Sequence, residues 1–193
     1  LTLLGGAVLD AKNGWSPQRD GNGDTAVLTL SCLKRGKIDF NKVEYTSLTR
    51  DDIDNFYVKE GEFFYSRGNT RELVALSAIA VNVSGNYVYP DLLTKVIFDS
   101  SKILPEYAVI LFNSAIGRKY FGAVPAGGTP NMIKVSHAYM MQFPVPFYGD
   151  VEKQKALIDQ HKKEIDSLEA IDLLLSKAKE RINDILRMVW TEE

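Results

Sequence analysis

Apolar residues recur at alternating steps of three and four positions along the last quarter of the chain. Read from residue 168, the regular apolar positions are Leu168, Ile171, Leu175, Ala178, Ile182, Ile185 and Val189. This spacing is typical of a coiled-coil seam, and Leu173, Leu174 and Leu186 widen the apolar stripe. The pattern predicts one long helix from about Asp150 to Trp190.

The length of this predicted helix indicates that it has a partner. About 40 residues at about 1.5 Å each span about 60 Å, which is more than one face of a domain of roughly 150 residues can cover. The candidate partners are a bundle in the same subunit, a second copy of the chain, and another protein. The alternative is an amphipathic helix that folds back on its own domain.

The first 148 residues contain short segments rich in Val, Ile, Phe and Tyr, separated by polar turns. These segments predict strands at Ala26–Cys32, Glu62–Tyr65, Glu72–Val81, Tyr87–Tyr89 and Lys95–Phe98. Capping signals predict helices at Arg50–Phe56, after a Thr49–Asp52 capping box, at Pro105–Tyr120, ended by Gly122, and at His137–Met141, capped by Ser136.

Together these patterns indicate an α+β fold in two parts. Residues 1–148 form a mixed, mostly antiparallel sheet domain with short helices, and residues 149–193 form the long C-terminal helix as a coiled-coil arm. We expect the first part to carry the function and the second part to associate with a partner.

Composition narrows the classes of function. With a formal net charge of −2 over 193 residues, the chain has no global positive field, so any nucleic-acid site must be a local patch. Cys32 is the single cysteine, which excludes a disulfide framework and a cysteine metal site and fits a reducing compartment. No stretch is apolar for long enough to span a membrane.

The candidate motifs for binding a cofactor or a metal each lack a required feature. Gly122–Thr129 has the glycine spacing of a phosphate-binding loop, but Gly128 occupies the position that must be lysine. Gly21–Ala26 imitates a dinucleotide fingerprint, yet it precedes a strand instead of a helix. His137 and His161 lie far apart with no ligands at metal spacing, so we expect surface or packing roles and neither a metal nor a cofactor.

Signatures of catalysis are missing as well. The sequence has no Pro-Pro pair, which the catalytic loop of an amino-methyltransferase requires, and no Asp followed by the Glu-x-Lys step of many metal-dependent nucleases. We therefore predict that the chain is not an enzyme and that any chemistry is performed by other subunits.

Several short motifs occur in the order found in one known family. The segment Gly61–Arg67, followed by Asn69, Thr70 and the strand-like Leu73–Val81, resembles the Gly-Asp-Leu-Leu-Phe-Ser-Arg segment of type I restriction–modification specificity subunits. The other matching segments are, in chain order, Trp15–Pro17, Pro105–Tyr107, Gly128–Lys134, Phe143–Pro146 and Glu152–Gln154. The resemblance covers nearly the whole chain, although Glu62 and Phe63 stand where Asp-Leu is usual.

This resemblance implies a sequence-specific DNA recognition module in the cytoplasm of a prokaryote. Residues 1–148 correspond to one target recognition domain that reads half of a bipartite site, and residues 149–193 to one conserved spacer helix. The implied partners are double-stranded DNA, methyltransferase subunits, a restriction subunit, and a second recognition half or second copy joined through the helix. Those catalytic subunits would hold S-adenosylmethionine, ATP and Mg²⁺.

Two other functions remain open at this point. The first is the C-terminal recognition domain of a fused type II restriction–methyltransferase. The second is a protein-interaction adaptor whose helix oligomerises, which is favoured if Arg19, Arg67 and Lys134 lie on different faces, since a DNA reader needs them on one surface.

Candidate DNA contacts follow from side-chain chemistry. Arg67 offers a planar bidentate donor among small polar neighbours, which suits a phosphate or the O6/N7 edge of guanine, whereas the alternative is an ion pair with Glu72. The alternative for the two loops that carry other candidates, one with Thr129, Asn131 and Lys134 and one with Gln18 and Arg19, is a plain connecting role. The predicted DNA-contacting residues are Gln18, Arg19, Ser66, Arg67, Asn69, Thr70, Thr129, Asn131 and Lys134.

Overall fold

A computed structural model describes residues 1–48, 53–125 and 132–191. The strands are β1 Thr2–Leu3, β2 Val8–Asn13, β3 Thr25–Leu28, β4 Gly36–Lys37, β5 Val43–Thr46, β6 Phe63–Ser66, β7 Gly68–Asn69, β8 Ser77–Ile79, β9 Asn86–Val88, β10 Leu93–Phe98, β11 Ile133–Lys134 and β12 Pro144–Val145. The α-helices are α1 Pro105–Asn113, α2 Ala115–Gly122, α3 His137–Met141 and α4 Val151–Thr191.

The chain forms two compact units, Leu1–Gln154 and Lys155–Glu193. The first contains the sheets and α1 to α3, and the second consists of the remainder of α4. The functional division between residues 148 and 149 stays a prediction. Among the described residues, no helix combines the length and the apolarity needed to cross a bilayer.

The largest sheet in the described residues has five strands in the order β2-β10-β6-β8-β4. Its neighbouring strands pair antiparallel except for β4 and β8, which are parallel. A three-stranded sheet has the order β5-β3-β9, in which β3 pairs antiparallel with β5 and parallel with β9. The predicted α+β fold with a mixed, mostly antiparallel sheet and a long C-terminal helix is therefore confirmed.

Strand β6 is covered on both faces, which explains why its first three residues are all aromatic. The rings of Phe63 and Tyr65 lie 5.3 and 5.9 Å from that of Phe112 on α1. On the other face the Phe64 ring lies 5.1 Å from Tyr89, which follows β9. Because side chains alternate along a strand, a strand buried on both faces needs apolar residues at every position.

Two predicted strands are shorter in the structure. The segment Ala26–Cys32 leaves the strand after Leu28 and ends in a 3-10 turn, where the Cys32 thiol donates to the Lys42 carbonyl at 2.6 Å. Only Ser77–Ile79 of the predicted strand Glu72–Val81 pairs in a sheet. Ala75 interrupts it with a left-handed φ of 54°, a conformation that no strand adopts.

The predicted helix Pro105–Tyr120 is in fact two helices, α1 and α2, separated at Ser114. Ser114 is extended, and its Oγ accepts a hydrogen bond from the amide of Gly117 at 3.1 Å, so it caps α2. The Asn113 amide group also pairs with both backbone groups of Ser77, at 3.1 and 2.8 Å, which fastens the end of α1 to β8.

The remaining helix predictions have different outcomes. Helix α3 is confirmed with its predicted cap, since Ser136 Oγ accepts from the amide of Tyr139 at 3.1 Å. The capping box at residues 49–52 lies outside the described residues, and Asp54–Phe56 forms a 3-10 turn. The sequence pattern missed strands β2 and β5, whose residues are mostly exposed or half-buried. It also missed the two-residue strands β1, β4, β7, β11 and β12.

The first turn of α4 is held by a fully buried glutamine, Gln154. Its Oε1 accepts a hydrogen bond from the amide of Leu104 at 2.9 Å. Its Nε2 donates to the carbonyls of Lys102 and Phe147, at 2.8 and 2.9 Å. One side chain thus satisfies three backbone groups from two separate segments.

Gln154→Ala is expected to lower the free energy of unfolding by about 2–3 kcal/mol, because it leaves three partly buried backbone groups without their partner. Chemical denaturation followed by circular dichroism measures the change. Gln160→Ala on the exposed side of the same helix is the matched control, with an expected effect within about 0.5 kcal/mol. Equal stability of the two variants would contradict an anchoring role.

Candidate nucleic-acid interface

Arg67 and Lys134 come together on a small antiparallel ribbon formed by β7 and β11. In its register Gly68 lies opposite Lys134, and Asn69 lies opposite Ile133. The amide of Val135 donates to the carbonyl of Arg67 at 2.8 Å, so the two cationic residues sit on neighbouring, hydrogen-bonded backbones. The structure therefore brings together the backbones of two predicted DNA-contacting residues that are far apart in the sequence. Because side chains alternate along a strand, the Lys134 side chain lies on the face of Gly68, and the Arg67 side chain leaves the backbone towards the other face.

A glycine makes the close packing of this ribbon possible. A Cβ atom at Gly68 would lie 3.0 Å from Cδ2 of Leu92, 3.4 Å from Cγ of Lys134 and 3.5 Å from Sδ of Met132. The stem of Lys134 consequently runs across Gly68, while the lysine as a whole is exposed. A Cβ atom at position 68 would press on Leu92, whereas it would meet Lys134 and Met132 at ordinary contact distances.

Arg67 is half-buried, and its guanidinium forms no ion pair with any described residue. The alternative ion pair with Glu72 is therefore not formed. The pKa of Glu72 is instead lowered by hydrogen bonds from its own backbone and from the Thr70 hydroxyl, and by the charge of Arg71.

Of the polar neighbours of Arg67, Ser66 is unsuited to contacting DNA. It is fully buried, and its hydroxyl donates to the carbonyl of Leu73 at 2.7 Å, so we remove it from the candidate surface. Asn69 is half-buried and accepts from the amide of Thr70 at 2.8 Å, whereas Thr70 is exposed. Thr129 and Asn131 lie outside the described residues.

The second polar loop lies at a different sheet. Gln18 and Arg19 are exposed, but Nη1 of Arg19 lies 2.6 Å from Oε2 of Glu44 on β5. Arg19 therefore has an acidic partner in the three-stranded sheet, while Arg67 and Lys134 pair with no acid among the described residues. Of the three candidate cations, only Arg67 and Lys134 lie at this ribbon, Arg67 directly before β7 and Lys134 on β11.

A polar network beside Arg67 was not singled out by sequence reasoning. The Thr94 hydroxyl donates to Oδ1 of Asn13 at 2.7 Å, and Nε2 of His137 lies 2.9 Å from the same oxygen. Because an amide oxygen can only accept, Nε2 of His137 carries the proton. The network joins β2, β10 and α3, and no local pattern could have connected residues so distant in sequence.

The charge of Arg67 reaches two titratable neighbours. Burial and the Arg67 charge lower the pKa of His137, while Asp10 on β2 acts in the opposite direction. Burial raises the pKa of Tyr65 to about 12, although the Thr94 hydroxyl and the charge of Arg67 both act to lower it. Both shifts favour the uncharged form of these groups at neutral pH, beside the cationic Arg67.

No metal centre is formed by the described residues, in which no group of three or more His, Cys, Asp or Glu side chains is placed to hold an ion.

On α4 the predicted interface residues are exposed in the single chain: Leu168, Ile171, Leu175, Ile182 and Ile185 are between 52% and 61% exposed. Ala178 is half-buried, and the side chain of Val189 lies outside the described part of the chain.

Comparison with known proteins shows which fold this chain shares. No protein-family model and no curated protein matches the sequence. The type I restriction–modification S subunit from M. genitalium is similar in structure, with a TM-score of 0.54 at 14% identity. A chain from a structure of the assembly and conformational transition of the type I R-M system gives a TM-score of 0.50, also at 14% identity.

Each of these matches covers 86% of this chain and 39% of the other chain, so this chain spans well under half the length of the proteins it resembles. At such low identity the likeness concerns the fold. It confirms the predicted specificity-subunit fold, including the long C-terminal helix.

Proposed function

We propose that this chain is a DNA-sequence recognition module of a restriction–modification system, without catalytic activity of its own. The sheet domain reads one half of a bipartite target, and α4 holds it at a fixed distance from a second recognition half or a second copy. Methyltransferase and restriction subunits supply the chemistry, in the cytoplasm of a prokaryote. The observation that carries this proposal is the specificity-subunit fold over 86% of the chain.

The β7–β11 ribbon is the centre of the proposed DNA surface. The half-buried guanidinium of Arg67 matches the O6/N7 edge of guanine or a phosphate through its planar fork of donors. The exposed ammonium of Lys134 suits a phosphate, which it contacts as a point charge. Asn69 and Thr70 are the other proposed contacts beside the ribbon. Gln18 in the second polar loop, and Thr129 and Asn131 outside the described residues, stay proposed contacts.

The paired spacer is supported by the apolar stripe of α4. Side chains such as Leu175 and Ile182 are 55% and 56% exposed, although their spacing is that of a coiled-coil seam. Contiguous exposed apolar surface of this kind marks an interaction site. A second helix of the same type would cover the stripe and set the distance between two recognition domains.

Selection from a random-sequence duplex library with the full chain tests the proposal. Arg67→Ala is expected to weaken binding to the selected duplex by about 1–3 kcal/mol and to relax the preference at one base position. Lys134→Ala should weaken binding to all sequences about equally and make the salt slope shallower by about one, because one phosphate contact releases about one counterion.

Lys119→Ala, at an exposed lysine of α2, is the matched control and should leave both the affinity and the selected sequence unchanged. If Arg67→Ala and Lys134→Ala bind the selected duplex as tightly as the parent chain, the proposed reading surface is wrong. If the parent chain selects no sequence, the recognition function is wrong and a protein-interaction adaptor is favoured.

A further inference from the structure

His137 is a titratable group in a fixed position beside the proposed DNA surface. It is the first residue of α3, directly after the β7–β11 ribbon, and its ring is half-buried. Nε2 donates to Oδ1 of Asn13, which also accepts from the Thr94 hydroxyl. Nδ1 is therefore the ring atom that is available to take up a proton.

The groups that face His137 come from two strands and one link between strands. Asn13 and Asp10 belong to β2, Thr94 belongs to β10, and Arg67 lies between β6 and β7. The carbonyl of Arg67 accepts a hydrogen bond at 2.8 Å from the amide of Val135, two residues before His137. Of these, Arg67 and Asp10 are charged, and their effects on the ring are opposed. Burial of the ring and the charge of Arg67 together outweigh the effect of Asp10, so the pKa of His137 is lowered. A positive charge on the imidazole is therefore disfavoured as long as no anion lies beside Arg67.

We propose that His137 takes up a proton from solvent at Nδ1 when a DNA phosphate binds beside Arg67. A phosphate placed against the guanidinium offsets the repulsion between the two cations and attracts the imidazolium directly. The site then carries one more positive charge in the complex than in the free protein. This inference rests on the proposed function and adds a proton-dependent phosphate contact to it.

The charge coupling can be tested without DNA. The chain has two histidines, His137 and His161, so their ring signals in an NMR pH titration of the full chain are readily assigned by one substitution. In Arg67→Gln the pKa of His137 is expected to rise towards its ordinary value, because a neighbouring cation is removed. An unchanged pKa of His137 in this variant would show that the two residues are not coupled and would overturn the inference.

The proton uptake is tested with a mixed-sequence DNA duplex at low and constant ionic strength. Between about pH 8 and about pH 6 we expect the affinity of the parent chain to rise as pH falls, by up to about tenfold per pH unit for one proton. Calorimetry of the unmodified chain in two buffers of different ionisation enthalpy should show uptake of up to one proton per complex.

His137→Gln keeps a donor for Asn13 but cannot titrate, so its affinity should lose this pH dependence. An equal pH slope in the parent and in His137→Gln, or no proton uptake by the unmodified chain, would overturn the inference while leaving DNA recognition intact. Absence of duplex binding at every pH would instead overturn the proposed function, and the inference with it.

Discussion

Phe112→Ala is expected to lower the free energy of unfolding by about 3–5 kcal/mol. The Phe112 side chain on α1 is fully buried. Its ring contacts four others, those of Phe63, Tyr65, Phe121 and Phe143, at centroid distances of 5.3, 5.9, 4.6 and 5.5 Å. The substitution removes the ring that joins β6 to α2 and leaves a cavity that the surrounding rings fill only in part.

Urea unfolding of the full chain, followed by tryptophan fluorescence and circular dichroism, measures this change. Ile116→Ala is the matched control, because Ile116 lies on α2 with 74% of its surface exposed and loses little on truncation. Its expected effect is within about 0.5 kcal/mol. A loss below about 1 kcal/mol for Phe112→Ala would contradict a core in which α1 packs on the five-stranded sheet.

Leu175→Asp combined with Ile182→Asp is expected to abolish association through α4. Both positions belong to the predicted seam and are exposed in the single chain, at 55% and 56%. Pairing of two helices along this seam would bury the introduced carboxylates in an apolar contact. Each buried, unpaired charge costs several kcal/mol, about as much as a weak dimer has available.

Analytical ultracentrifugation over a range of concentrations measures the association. Ser176→Asp combined with Asn183→Asp is the matched control, since it adds the same charges one position beyond the seam and should leave association unchanged. A monomer for the unmodified chain at high micromolar concentration would refute self-association. The stripe would then be left for a different partner helix.

Elements with strong local signals were predictable from the sequence. Helix α4 has an apolar period that persists over many turns, and α3 begins at a serine that caps it in the structure as expected. Strand β6 was predicted close to its observed bounds, because a strand that is buried on both faces has a run of large apolar residues. In each case the signal lies within the element itself.

Elements that depend on distant contacts were not predictable in detail. The break between α1 and α2 is stabilised by the side chain of Asn113 on the backbone of Ser77. The loss of strand structure before β8 accompanies hydrogen bonds from the Arg118 guanidinium to the carbonyls of Glu72 and Val74. Such contacts join separate segments, and propensity within one segment carries no information about them.

The sequence by itself determined the fold class, the long apolar seam of α4, and Arg67 as a candidate with suitable chemistry. Only the tertiary structure decided which candidates meet. It placed Lys134 on the ribbon beside Arg67, buried Ser66, and paired Arg19 with Glu44 on another sheet. The physical reason is that strand pairing and burial set distances between residues remote in sequence, whereas periodicity and capping report only on neighbours along the chain.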